Sequence, residues 1–405
     1  MVVNVKEPDL SSLNILISGQ TKTSRTETIE DYLRPRVRKL GVIAIASPFT
    51  KADIARFREY DSGEITREQK ISSVYVKNRN SFLGVLLLTW AFVKYFINIF
   101  RLAFKTKWHI DYFIGVSCFS SFVGVFLKWL KRVDRLVYYS IDYYIMPPKF
   151  CFDSIIVWAF RKIDRLCARN ADMVWHITRR IEDGRAQYSG FKRTQYKHCE
   201  VPMCYDESVF RTYPLDQVQR WTIGFVGTIS DNQGWGLLIR SIPDLVKRFP
   251  KIKVSIIGRG PYADELERMV KESGFENRFI FHGFIQEDER AYNIIGHTAV
   301  GVALWTKSED NNISYADTGK PKLYTCLGVP CVITPPMADT GGIEKNGAGV
   351  TIDYEKGQLV EAVTRIISDD KVWAQFREKA CKLRLEFSSE KIFGRVVAET
   401  CAGGK

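Results

Sequence analysis

The sequence predicts an α/β fold, and three patterns predict it. Between residues 222 and 353, short apolar runs rich in Val, Ile and Phe alternate with longer amphipathic stretches. Their spacing is roughly 25–30 residues, the size of a strand–helix–strand unit. Most runs end on Gly or Pro, as buried parallel strands do where the chain turns into a helix. The first half shows a sparser version of the same alternation, and the second half reads as a Rossmann-like, doubly wound domain.

In chain order, residues 13–17 form a strand turned by Ser18, Gly19 and Gln20. Further strands are expected at 42–46, 74–76, 113–116, 136–139 and 172–177. Residues 81–104 and 119–130 carry apolar side chains at helical spacing. In the second half, strands are expected at 222–226, 254–257, 279–281, 299–304, 331–333 and 350–352. Leu237, Leu238, Ile242, Leu245 and Val246 recur at three- and four-residue spacing between the first two, and Leu266, Met269 and Val270 follow suit. Helices at 359–367, 372–385 and 391–400 close the chain.

Composition excludes several classes. The 405 residues carry 59 Lys and Arg against 46 Asp and Glu, a formal charge of +13, with 45% hydrophobic and 26% charged residues. That is a globular chain of two or more domains. The excess charge is one-sided: residues 1–200 hold 33 basic and 19 acidic side chains, whereas 201–405 hold 26 and 27. Glycine runs the other way, with 8 of 28 in the first half. Nine cysteines without a C-x-x-C pair indicate reduced, mostly buried thiols in a cytoplasmic protein. Five histidines without zinc-enzyme spacing argue against a metalloenzyme, and residues 1–10 lack the apolar core of a secretory leader.

In a doubly wound sheet the ligand lies beyond the carboxyl ends of the strands. Gly227-Thr228 follows the first run of the second half, Gly258-Arg259-Gly260-Pro261 the second, and His282-Gly283-Phe284 the third. Such a set of glycine turns on one rim marks a nucleotide site. Neither a dinucleotide fingerprint nor a P-loop follows the first strand, which excludes a plain NAD enzyme or a P-loop ATPase. Pro321 suits the first turn of a helix whose start is flanked by Lys320 and Lys322, and such an end favours phosphate or diphosphate.

These motifs resemble the nucleotide-binding half of GT-B glycosyltransferases, the glycogen-synthase-like sugar transferases. The residues that carry the likeness are Gly224-Phe225-Val226-Gly227, Gly234, Leu237-Leu238, Ile257-Gly258-Arg259-Gly260-Pro261, Phe281-His282-Gly283-Phe284 and Gly328-Val329-Pro330-Cys331-Val332-Ile333. Val201-Pro202-Met203-Cys204-Tyr205-Asp206 with Phe210 resembles the linker that opens that half. The resemblance implies two Rossmann-like domains facing a cleft: an acceptor domain over residues 1–200, a nucleotide-sugar domain over 201–385, and a final helix in 386–405 crossing back. The candidate donor-site residues are Gly227, Thr228, Arg259, Glu309, Lys320, Lys322 and Tyr324, and the candidate acceptor-side residues Gly19, His109 and Tyr143.

This chain departs from the family pattern in two places. The basic residues expected between the first strand and Gly234 are missing from residues 228–233. Of the family's two glutamates at i and i+8, Glu309 takes the first place; counting back from Gly328 puts Leu323 at the second, and Asp317, eight residues after Glu309, is not supported there by the glycine register. The diphosphate therefore has Lys320, Lys322 and Arg259 as its candidate cations. A lysine eight residues before the glycine, as Lys320 is before Gly328, is similar to the xanthan-type glucuronosyltransferases. Whether transfer retains or inverts the anomeric centre stays open.

Asp142 follows the strand at 136–139 among Tyr138, Tyr139, Tyr143 and Tyr144. It is the candidate base for the acceptor hydroxyl in an inverting enzyme, or an acceptor-orienting group in a retaining one. Residues 77–135 hold ten basic and two acidic side chains beside the apolar runs 83–93 and 119–130. Eleven uncharged residues fall short of a bilayer about 30 Å thick. Three readings compete for this region: a transmembrane helix, the least favoured on length and interior charge, a buried core helix, or one that also lays an apolar face on an anionic membrane.

The expected function is transfer of a hexose from a nucleotide-diphosphate sugar to a lipid-linked or glycan acceptor at a membrane surface, in polysaccharide or glycolipid assembly. No D-x-D motif is present to carry a metal, so no metal or other cofactor is expected. The competing readings are a non-catalytic membrane scaffold on the same fold and a nucleic-acid binder using the basic half. The Leu and Phe runs count against nucleic acid.

Overall fold

A computed structural model describes residues 8–21, 24–46, 48, 55–76, 82–146, 152–306, 312–317, 319–335 and 342–402. The chain divides into two compact units, Met1–Pro202 with Ile392–Lys405, and Met203–Lys391. The division falls later than the residues 200 and 385 read from the sequence. Residues 386–389 stay with the second unit because Tyr205 N–H donates to the Phe387 carbonyl (2.9 Å) and Ser389 N–H donates back to Tyr205 (2.8 Å).

The first unit contains β1 (Asn14–Gln20), α1 (Ser24–Leu33), β2 (Lys39–Ile45), β3 (Ala55–Asp61), β4 (Glu64–Ile71), α2 (Phe82–Lys105), β5 (Ile110–Val116), α3 (Cys118–Trp129), β6 (Val133–Ser140), α4 (Phe152–Asn170), β7 (Met173–His176), α5 (Arg180–Ser189) and β8 (His198–Glu200). Its sheet runs β4-β3-β2-β1-β5-β6-β7-β8. From β2 to β8 all neighbours are parallel, while β3 and β4 are antiparallel. The strand expected at 74–76 is not in the sheet; Val76 instead donates to the Pro48 carbonyl at 2.7 Å. The hairpin β3–β4 takes the edge, and its residues Arg56, Arg58, Glu64, Arg67 and Lys70 carry no apolar run to announce it. A charged edge of this kind resists pairing with other chains.

The second unit contains β9 (Gln219–Val226), α6 (Trp235–Arg248), β10 (Lys253–Ile257), α7 (Ala263–Glu272), β11 (Phe279–Gly283), α8 (Asp288–Gly296), β12 (Thr298–Ala303), α9 (Gly319–Cys326), β13 (Cys331–Ile333), β14 (Gly349–Thr351), α10 (Lys356–Ile367) and α11 (Asp370–Leu383). The sheet is fully parallel, in the order β11-β10-β9-β12-β13-β14. All six residues of β12 are buried, as a central strand covered on both faces requires. The last helix, α12 (Ser389–Ala402), enters the first unit from Ile392 onward. There Phe393 packs 5.4 Å from the Tyr32 ring, and Trp175 Nε1 donates to Thr400 Oγ1 at 2.9 Å.

Both sheets have a topological switch point, where successive connections leave in opposite directions. In the second unit it lies between β9 and β12; in the first, between β1 and β5. Loops diverge there and leave a crevice at the carboxyl ends of the strands.

Candidate functional site

The switch point of the second unit is floored by backbone. Gly227, just past β9, has φ +140° and donates to the Ile257 carbonyl at 3.0 Å. Gly258, just past β10, has φ +145° and donates to Gly283 at 2.8 Å. A Cβ on Gly258 would collide with the Gly227 carbonyl oxygen. Gly258→Ala is therefore expected to destabilise this unit by several kcal/mol, through both clash and positive φ. A thermal melt checks it, and an unchanged midpoint would contradict the packing described.

Lys320, in the first turn of α9, reaches over this floor. Its methylenes pass beside Gly227, where an added Cβ would stand 3.5 Å from Lys320 Cδ. Its ammonium lies 4.5 Å from the centre of the Phe225 ring and 5.0 Å from that of Trp305, and donates to Gln233 Oε1. No carboxylate pairs with it among the described residues. Part of the side chain still meets solvent, but the crowding of its charged end brings its pKa down to about 7. Desolvation is the cause: burial penalises the charged form of an amine. An ammonium at a crevice, with no carboxylate partner among the described residues, can receive an anion.

The remaining donor-side candidates separate. Thr228 and Arg259 are exposed on the same rim, and the Arg259 guanidinium lies within 4 Å of where a Cβ on Gly283 would stand. Lys322 points inward; it is 2% exposed and ion-paired with Asp317, whose carboxylate also accepts from Met203 N–H at 2.5 Å. The helix turns successive residues about 100° apart, so only one of the two lysines flanking Pro321 can face the crevice. Tyr324 is fully buried and serves the sheet: its hydroxyl donates to the Val302 carbonyl at 3.1 Å and accepts from Val226 N–H at 3.3 Å. Lys322 and Tyr324 are thus placed as framework. Glu309 lies outside the described residues. Gln233 and Trp305, which sequence reasoning missed, are brought to Lys320 by the loops after β9 and β12.

In the first unit, Asp142 lies just past β6 at the carboxyl rim. It is exposed, yet protein crowding around it raises its carboxyl above the usual range, while the nearby Arg25 charge acts in the opposite direction. Gly19, the penultimate residue of β1, lies near the same rim; a side chain there would collide with Thr26 Oγ1, so its role is close packing of α1 on the strand. Tyr143 is 1% exposed, with its hydroxyl 3.0 Å from Ser189 Oγ, and faces the interior. His109 precedes β5 and pairs with Asp134 at 2.8 Å, which puts it at the amino ends of the strands, away from the rim where an acceptor site was expected. Spacing had placed it near a strand without showing which end.

A buried polar group in this unit was also not foreseen. Arg185 makes a two-pronged ion pair with Asp164 at 2.6 and 2.7 Å, and both are sealed from solvent. Beside it, His176, Glu182 and His198 bring potential metal-ligating atoms within 4.8 Å of one another. Burial, first, and the Arg185 charge keep His176 neutral. The same guanidinium, 3.3 Å from both His176 ring nitrogens, would repel a cation there.

Solved structures decide the architecture. The chain superposes on Anabaena HepE in complex with UDP and glucose with a TM-score of 0.66 at 16% identity, covering 96% of this chain and 99% of that one. This is the GT-B fold. The GT-B likeness extends to sucrose-phosphate synthase from Thermosynechococcus elongatus, with a TM-score of 0.65, 14% identity, and coverage of 97% and 100%. Residues 220–369 match the family model described as Glycosyl transferases group 1. The resemblance to GT-B glycosyltransferases read from the motifs is thereby borne out.

Two curated relatives match shorter segments. A 2-deoxystreptamine glucosyltransferase of Streptomyces kanamyceticus is 31% identical over 83 residues, 20% of this chain and 21% of that protein. A GDP-mannose-dependent alpha-(1-6)-phosphatidylinositol monomannoside mannosyltransferase of Mycolicibacterium smegmatis is 35% identical over 140 residues, 34% of this chain and 35% of that protein. The matches thus span about a fifth and about a third of these relatives.

Proposed function

We propose that this protein is a glycosyltransferase that moves a hexose from a nucleotide-diphosphate sugar to a lipid-linked or glycan acceptor at a membrane surface, in glycolipid or polysaccharide assembly. The observation that carries the donor half is Lys320, an ammonium over the glycine floor of a switch point, with no carboxylate partner among the described residues. As the glycosidic bond breaks, negative charge grows on the leaving diphosphate. A cation fixed there stabilises that charge and can do so without a metal. The structural likeness to a protein bound to UDP and glucose, and the segment shared with a GDP-mannose-dependent enzyme, support this class of donor. Asp142 is the proposed base: its raised carboxyl is suited to take the acceptor hydroxyl proton as the hydroxyl attacks the anomeric carbon.

The membrane half is supported by α2. Ala91, Tyr95, Ile99, Leu102 and Ala103 face the sheet and are buried. Leu83, Leu86, Trp90 and Ile97 are half-exposed or more and fall on one stripe, with Val93 between them. By length and composition Leu86–Lys105 could cross a bilayer, with mean hydropathy 1.4; the sequence ranks a span last on the length of its uncharged run and its interior charges. Lys94 and Arg101 interrupt the window, and the helix packs on α3 through Phe92–Phe119 and Phe96–Phe126 contacts at 5.0 and 5.5 Å. A helix held to its own sheet on one face, with apolar residues out and Arg101, Lys105, Lys107 and Lys131 exposed beside it, suits a peripheral site on an anionic leaflet.

Two side chains of this stripe that enter the acyl boundary contribute roughly 1.5–3 kcal/mol each. The double variant Trp90→Ser, Ile97→Ser is therefore expected to lose at least tenfold in affinity for phosphatidylglycerol vesicles by co-sedimentation. Undiminished binding would remove the membrane half and leave the donor site standing.

A further inference from the structure

The Lys320 ammonium, at the crevice of the second unit, is held by neutral groups. Gln233 Oε1 accepts from it, and the centres of the Phe225 and Trp305 rings lie 4.5 and 5.0 Å from it. An amide oxygen and two aromatic faces attract a cation, but none of them carries a net charge that would cancel it. The ammonium is thus fixed while its charge stays available to an anion.

The groups that hold it are themselves fixed. Phe225 is buried in β9, with the Trp235 ring 4.4 Å away. Trp235 Nε1 donates to the Ser230 carbonyl at 2.9 Å, which ties the loop after β9 to the start of α6. In that loop Gln233 Nε2 donates to Asn232 Oδ1 at 3.0 Å, and Ser230 Oγ donates to the same oxygen at 2.8 Å. With Nε2 so engaged, Oε1 of the amide faces Lys320. The next residue, Gly234, has φ +67° and packs tightly on Leu304, where an added Cβ would stand 2.7 Å from the Leu304 Cβ. Thr306 N–H donates to the Asn232 carbonyl at 3.1 Å and so joins the Trp305 loop to the Gln233 loop. Thr334, just past β13, accepts from Trp305 N–H at 2.6 Å and donates to the Trp305 carbonyl at 3.0 Å through the same hydroxyl. Three loops of the carboxyl rim thereby converge on one ammonium.

We propose that Gln233 is a positioning residue for the donor: with Phe225 and Trp305 it fixes the Lys320 ammonium at the crevice and leaves its charge for the diphosphate. The choice of an amide is what matters. A glutamate of the same length would hold the ammonium equally well, but it would neutralise the charge and repel the incoming anion. A methionine of the same length would offer no acceptor of comparable strength and leave the ammonium unheld. This role rests on the donor reading above, because Gln233 acts on the diphosphate only through Lys320.

The test is calorimetric titration of the full chain with UDP and GDP at pH 7 and pH 8, in buffers of different ionisation heat. The terminal phosphate is already ionised there, its second pKa being about 6. Lys320 titrates at about 7 in the free protein, so wild type is expected to take up a proton on binding at pH 8. Gln233→Glu is expected to bind roughly tenfold or more weakly at pH 7. Its proton uptake at pH 8 should be lost, because the carboxylate keeps the amine protonated before the nucleotide arrives. Gln233→Met is expected to bind roughly three- to tenfold more weakly at pH 7, with proton uptake at pH 8 retained. The two variants thus part on proton uptake, which a merely structural loss would move alike in both. Affinities equal to wild type in both variants, or the same proton uptake in all three proteins, would overturn the role of Gln233 and leave the donor site standing. Wild type that binds neither nucleotide would remove the donor reading, and the role of Gln233 with it.

Discussion

Lys320→Met is expected to weaken binding of the nucleoside diphosphate roughly 10- to 100-fold, the equivalent of losing a charge-assisted hydrogen bond. The nucleoside without phosphates should be affected far less, since the ammonium meets only the anionic end. The same substitution should raise the melting temperature near neutral pH. Burial holds Lys320 at about 7 in the folded chain against 10.5 when unfolded. Between those values the unfolded chain binds the extra proton, so wild-type stability rises with pH from about 7 to about 10.5. The Met variant lacks that rise and escapes the cost of a crowded charge below it. Binding of the anion restores the proton, so calorimetry near pH 8 in buffers of different ionisation heat should show proton uptake by wild type and none by Lys320→Met. Equal uptake in both would remove Lys320 from the diphosphate role.

Asp142→Asn should reduce sugar transfer by about 10²- to 10⁴-fold, the range general base catalysis supplies, while nucleotide binding stays within about twofold. The carboxyl is raised above 3.8 by crowding, with Arg25 opposing. A base works only when deprotonated, so the acid limb of the wild-type rate should fall at a pH above the ordinary aspartate range and vanish in the residual activity of Asp142→Asn. Turnover equal to wild type would sink the assignment.

Much of the second unit was legible because its strands are buried on both faces. Runs such as 299–304 are then unbroken apolar text, and Gly227 and Gly258 mark where backbones touch. The first unit was harder to read. The β3–β4 hairpin lies on a solvated edge, where Arg56, Arg58 and Lys70 hide the strand pattern. The active rim was read only in part. Sequence could name Lys320 and Lys322 together, but which one faces the crevice depends on the phase of α9, and Asp317 is already committed to Lys322. Tyr143 and His109 failed for the related reason that a residue's place along the chain does not tell inward from outward, or the amino end of a strand from the carboxyl end.

Transfer itself is the most direct test. The full chain is incubated with a panel of labelled UDP- and GDP-sugars and a membrane extract as acceptor, with Asp142→Asn and Lys320→Met alongside. Label from one donor is expected to enter the lipid or glycan fraction with wild type, and both variants are expected to suppress it. No consumption of any donor, together with no calorimetric binding of UDP or GDP, would contradict the assignment of this protein as a glycosyltransferase.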